Sequence, residues 1–162
     1  MPRMAAAVPD IRVRTAAPSD AGAIADLVNQ AFSVERFFVE GDRTDEAEVR
    51  ALMARGWFLC ADIDSELVGC VFLEQRGERG YFGMLSVSPA RQKAGIGRLL
   101  VDRCEAHFRA AGCAAVDIKI VHLRSELPPF YRALGYRETG TAPFVDDSLK
   151  QAAHFVLMSK PL

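Results

Sequence analysis

Apolar and polar residues alternate from Ile11 to Ala16, the period of a strand. The next stretch changes period. Ile24, Leu27, Val28 and Ala31 fall on one face of a helix that Ser19 or Asp20 is placed to cap. Residues 33–42 show no period. A second helix is predicted in "RTDEAEVRALMARG", with acids early, arginines late and Gly56 as its stop. "WFLCADID" and "SELVGCVFLEQR" read as two strands joined by a tight turn near Asp64 and Ser65. "RGYFGMLSVSP" reads as a third, ending at Pro89.

The longest helix follows, running to about Ala111 and stopped by Gly112. Its predicted core face is Ile96, Leu99, Leu100, Cys104, Phe108 and Ala111. "AAVDIKIVHL" is predicted as a strand with Val116, Ile118 and Ile120 on one side. "SELPPFYRALGY" suits a short helix, with two prolines in its first turn and Gly135 at its end. His154–Lys160 is the last predicted strand. Strands outnumber helices and are interrupted by them, which implies a layered α/β or α+β fold. Residues 1–10 read as a flexible tail and 11–162 as one domain.

Composition narrows the function. The 162 residues are 50% hydrophobic and 25% charged, and the net charge is −1. A nucleic-acid binder usually carries a basic excess, so that class is set aside. No apolar run approaches the ~20 residues of a membrane span, and the first residues are too short and too weakly apolar for a signal peptide. A cytoplasmic protein is expected. Cys60, Cys70, Cys104 and Cys113 form no C-x-x-C pair and read as buried reduced thiols. With three histidines and no ligand spacing, no metal is expected.

The most informative stretch is "ARQKAGIGRLL", Ala90–Leu100. A strand, a glycine turn and a helix make an anion site. The first helical N–H groups lack partners, the helix dipole adds positive charge, and glycine lets a phosphate come close. Arg91, Lys93 and Arg98 add local cations. A P-loop would need Gly-Lys-Ser/Thr, but Gly97 precedes Arg98 and Leu99; a dinucleotide fingerprint would need glycine at Leu100.

Gln92-x-x-Gly95-x-Gly97 resembles the pyrophosphate motif of the GNAT superfamily of N-acetyltransferases. Tyr131, four residues before the pair Gly135–Tyr136, matches a second family motif, and the element order agrees from about Ile11 to Lys160. The resemblance implies a mixed, mostly antiparallel central sheet of six to seven strands flanked by about four helices. It implies that Gln92, Lys93, Ala94, Gly95, Ile96, Gly97 and Arg98 hold the pyrophosphate of acetyl-coenzyme A (acetyl-CoA). It also implies that a bulge in the preceding strand presents Leu85, Ser86 and Val87 to the pantetheine arm. Many relatives place an asparagine where this chain has Ser125, which reaches less far.

The implied reaction is direct attack of a primary amine on the acetyl thioester. Neutralising an alkyl amine at pH 7 costs about 4–5 kcal/mol, so a base or a water path must take its proton. Tyr131 is the expected donor to the leaving thiolate, its proton moving late. His122 is the candidate base, with Glu74 and Glu126 as alternatives. The acceptor region is expected at Phe32, Glu35, Arg36, Phe37, Phe38 and Glu40. The acceptor itself, a small molecule or a peptide, stays open. So do a non-catalytic acyl-CoA sensor, a longer acyl donor and a homodimer.

Overall fold

The computed structural model describes residues 10–162, so the predicted tail lies outside the described residues except for Asp10. Seven strands form one sheet in the order β1-β2-β3-β4-β5-β7-β6. They are β1 (Ile11–Thr15), β2 (Trp57–Ile63), β3 (Glu66–Arg76), β4 (Arg79–Val87), β5 (Ala115–Val121), β6 (Arg137–Phe144) and β7 (Ala153–Pro161). The helices are α1 (Ala21–Ala31), α2 (Glu46–Met53), α3 (Ile96–Ala110) and α4 (Leu127–Ala133). All strand pairs are antiparallel except β4–β5.

The sheet has an apolar cluster on each face. One cluster joins α3, Tyr131 and Tyr136 to Phe82, Val116, Ile118, Ile120 and Met158. The other joins α1 and Val49 of α2 to Phe58, Cys60, Cys70 and Phe72. The approach of α3 is set by Gly80, where any Cβ would stand 2.4 Å from the Phe108 ring. Phe108 itself is fully buried.

Several expectations need correction. α3 ends at Ala110; Ala111 is exposed and Leu99 only half-buried, while Val101 and Glu105 take core positions. Strand β4 ends at Val87, before the 3₁₀ turn Pro89–Arg91. Asp20 precedes α1 without bonding into it, and its carboxylate turns back to the Ala17 N–H at 2.7 Å. α4 begins at Leu127, two residues later than the predicted "SELPPFYRALGY", with Glu126 at its cap position and no side-chain bond there. β6 was not foreseen as a separate element. The four cysteines are buried and free, yet Cys60 and Cys70 face each other across β2–β3.

Candidate active site

β4 and β5 pair over only three residues, the last pair being Tyr81–Asp117. Beyond it the strands part, while β4 keeps its bonds to β3 and β5 keeps its bonds to β7. Residues 82–87 therefore present an unpaired backbone edge in the middle of the sheet, the kind of edge an extended ligand can join. The β3–β4 register slips between Cys70 and Phe72, so Met84 and Leu85 stand where one residue would. Met84 has φ +53°. The bulge implied by the family resemblance is present. Ser86 is buried, with its hydroxyl donating to the Met84 carbonyl at 2.9 Å, and Leu85 and Val87 are half-buried.

The edge leads to the mouth of α3. Gln92, Lys93, Ala94 and Gly95 are exposed. Lys93 and Gly95 both have positive φ, +70° and +81°, and the Leu99 N–H closes the first turn on the Gly95 carbonyl at 3.0 Å. Ile96 is buried as the first residue of α3. Gly95 meets a left-handed backbone requirement. Gly97 meets none, because a Cβ there would lie in ordinary contact, 3.7 Å from Phe130 and 3.8 Å from Val87. Glycine early in a helix costs about 1 kcal/mol against alanine. With no folding reason for it, the space beside Gly97 is a property of the cleft. Among the described residues, Arg91, Lys93 and Arg98 enter no ion pair.

Tyr131 stands behind this mouth. It is buried, 6.1 Å between ring centroids from Phe82 and 5.0 Å from Phe130. Burial pushes its pKa well above the ordinary phenol range, and the Arg124 charge opposes this. Its proton stays on at neutral pH, as an acid requires. Tyr136 does different work, donating to Glu105 at 2.9 Å. Glu105 also takes Lys160 at 2.8 Å, so α3, β7 and the end of α4 share one buried carboxylate.

His122 lies just past the end of β5 and stacks on His154, 3.9 Å between ring centroids. The His154 N–H donates to its Nδ1 at 3.0 Å. Nδ1 also lies 3.2 Å from the His154 carbonyl oxygen. With the proton on Nε2 it accepts from the His154 backbone N–H; with the proton on Nδ1 it donates to that carbonyl and frees the Nε2 lone pair. Glu126 accepts from Arg124 at 2.6 Å; burial acts most strongly, to raise its pKa, but this bond, a backbone bond and the Arg124 charge together lower it. Glu74 accepts from Arg76 at 3.0 Å, while its other oxygen is buried with no hydrogen bond. Ser125 is exposed before α4.

The expected acceptor region is a set of loops stitched together. Glu35 is buried and takes the Arg124 guanidinium at 2.8 Å; burial nevertheless raises its pKa. Phe32 lies between Arg43 and Arg124, 5.5 and 5.9 Å from its centroid. Val39 bridges Leu149, and the Lys150 N–H donates to the Phe38 carbonyl at 2.8 Å. Phe38 is fully buried, whereas Phe37, Arg36 and Glu40 are exposed. Sequence reading passed over Tyr81, Lys119 and Phe130. Alternation in "VDIKI" puts Asp117 and Lys119 opposite the core face, which was the available signal for Lys119.

The family model of the acetyltransferase (GNAT) domain matches residues 54–138, from before β2 into β6. The chain belongs to the GNAT acetyltransferase family. Solved structures share its fold over nearly their whole length. The ribosomal-protein-S18-alanine N-acetyltransferase of Escherichia coli is 12% identical, with a TM-score of 0.79 and 94% of each chain covered. A putative acetyltransferase from Salmonella typhimurium, solved with its cofactor acetyl-CoA, is 20% identical, with a TM-score of 0.76 and 94% of each chain covered. An N-acetyltransferase from Thermoplasma acidophilum, in complex with coenzyme A, is 16% identical, with a TM-score of 0.78, covering 94% of this chain and 99% of that one. Among the described residues, no cluster of three or more His, Cys, Asp or Glu could hold a metal, and no helix could cross a membrane.

Proposed function

We propose that residues 11–162 act as one N-acetyltransferase domain, moving an acetyl group from acetyl-CoA to a primary amine by direct attack in a ternary complex. The observation that carries this reading is the continuity of the cleft. The free edge of β4 runs from the bulge at Met84–Leu85 to the mouth of α3, with Tyr131 and Phe130 beside it. Two structures of the same fold hold acetyl-CoA and coenzyme A.

In this reading the N–H groups from Gly95 to Arg98, with Gln92, Lys93 and Arg98, hold the diphosphate. Backbone groups of Leu85, Ser86 and Val87 hold the pantetheine arm as an added strand would be held. As the amine nitrogen bonds to the thioester carbon, charge grows on the carbonyl oxygen, and an N–H near Leu85 stabilises it. The C–S bond then breaks while the Tyr131 hydroxyl donates a hydrogen bond to the leaving thiolate; the sulfur takes that proton late, and Tyr131 recovers one from the proton the amine has released. Glu74 and Glu126 are engaged by arginines. His122 serves as base through Nε2 in the tautomer whose Nδ1–H donates to the His154 carbonyl; in the other tautomer the amine's proton leaves to water.

The test is thiol release from acetyl-CoA with pooled amines, wild type against Tyr131→Phe. Turnover is expected, with kcat about a hundredfold lower in the variant and CoA affinity unchanged. Tight CoA binding without turnover on any pool would overturn the transferase reading in favour of a sensor. Faster turnover with a longer acyl-CoA would reassign the donor.

A further inference from the structure

We infer that the amine acceptor is a small molecule carrying a carboxylate, and that Lys119 receives that carboxylate where β4 and β5 part. The inference rests on the acetyl-transfer reading above and names the substrate class of the same site. Lys119 stands two residues beyond Asp117, the last residue of β5 to pair with β4. Had the ladder run on, its partner would be Gly83, next to the bulge residue Met84. By strand alternation Lys119 shares a face with Asp117 and Tyr81, opposite the face that packs on α3. It therefore fronts the gap from the acceptor side, away from the diphosphate loop.

Its surroundings lack an anion. Among the described residues Lys119 enters no ion pair. Its Nζ rests 4.7 Å from the Phe155 ring centroid. The nearby acids are taken. Asp117 receives two bonds from Arg79 and one from Ser159, Glu74 is paired with Arg76 and Arg55, and Glu35 with Arg124. Lys119 is an exposed side chain whose partial desolvation lowers its pKa, and the charges of Arg43 and Arg76 lower it further. Like charges beside an unpaired ammonium are relieved by an incoming anion. The same field repels a polyamine and favours the neutral, nucleophilic form of an arriving amine. Tyr81, with the Arg76 guanidinium 3.9 Å over its ring, and Phe155 supply apolar walls for the body of the molecule.

The experiment is calorimetry on the CoA-loaded full chain with matched probes. These are L-glutamate, L-glutamine, the α-amide of each, and spermidine, titrated into wild type, Lys119→Met and Lys119→Arg. The expected result is that at least one free carboxylate binds about tenfold tighter than its amidated counterpart. Lys119→Met erases that ratio and Lys119→Arg restores part of it. Equal binding of free and amidated probes, no binding of any of them, tightest binding by spermidine, or an unchanged ratio in Lys119→Met would each overturn the inference. Acetyl transfer is followed in parallel, so a protein that shows the binding ratio but no turnover loses the transferase reading and keeps the Lys119 site.

Discussion

The two sides of the cleft are held in place by different forces. Where α3 meets β4, position comes from apolar contact: Phe108 lies on the bare backbone of Gly80, and Ile96, Leu100 and Cys104 are buried beneath the helix. Where the α1–α2 loop meets the β5–α4 and β6–β7 loops, the buried ring of Phe38 is joined by polar links. These are the Val39–Leu149 bridge, the Lys150–Phe38 bond and the Glu35–Arg124 pair. Apolar burial is non-directional and strong in sum, so it fixes a helix mouth firmly. Polar links between loops are geometrically specific and individually modest. A diphosphate needs a preorganised cradle, whereas an acceptor is chosen by the groups that loops present. The contrast fits a constant donor site with an adaptable acceptor site.

The contrast is broken most easily at its apolar end. Phe108→Ala should cost about 3–5 kcal/mol, measured by urea unfolding, because it empties a fully buried site. Phe37→Ala, at a ring that is 56% exposed in the loop, should cost less than about 0.5 kcal/mol. Similar losses at the two positions would show that the loops are packed as tightly as the helix.

Next in size is Glu35→Gln. It leaves the half of the Arg124 guanidinium that faced Glu35 without its carboxylate, while Glu126 still holds the other side. A loss of about 1–3 kcal/mol is expected, together with faster hydrogen exchange at Val39 and Lys150. Protection at those amides equal to wild type would mean that the pair does not brace the loops.

A smaller effect than that of Glu35→Gln is expected at the first strand. Asp20 takes two bonds from Arg14 and lies below its ordinary pKa, chiefly because of that guanidinium. A folded-state value below the unfolded one stabilises above the unfolded pKa, near ~3.9, and the contribution fades as pH falls through the folded value. Asp20→Asn should therefore cost about 1 kcal/mol at pH 7, and the gap to wild type should close as pH drops below about 4. A gap that is constant with pH would remove charge from the explanation.

How much was legible in the sequence follows the same divide. The loop before α3 was readable because its features are local: two glycines, the cations and the helix start all lie within Arg91–Arg98. The proposed acceptor side draws on residues near 35, 81, 119, 124 and 155, which no short pattern links, so neither Tyr81 nor Lys119 stood out in the sequence. β6 was hidden for a related reason. It is an edge strand with Gly140, Pro143 and mostly exposed positions, formed because β7 pairs with it and lacking a period of its own. Glu105 was missed because it sits among the apolar positions Val101, Cys104 and Phe108 of α3. An acid there marks a buried partner, and the partners, Tyr136 and Lys160, lie far along the chain.

The central claim, a diphosphate cradle at the mouth of α3, is tested most directly at Gly97, where a Cβ would make only ordinary contacts. Calorimetry with coenzyme A on wild type and Gly97→Leu should show heat of binding in the first and at least about tenfold weaker binding in the second, with a melting temperature no lower than wild type. Equal affinity in both proteins, or no heat in wild type, would contradict the account.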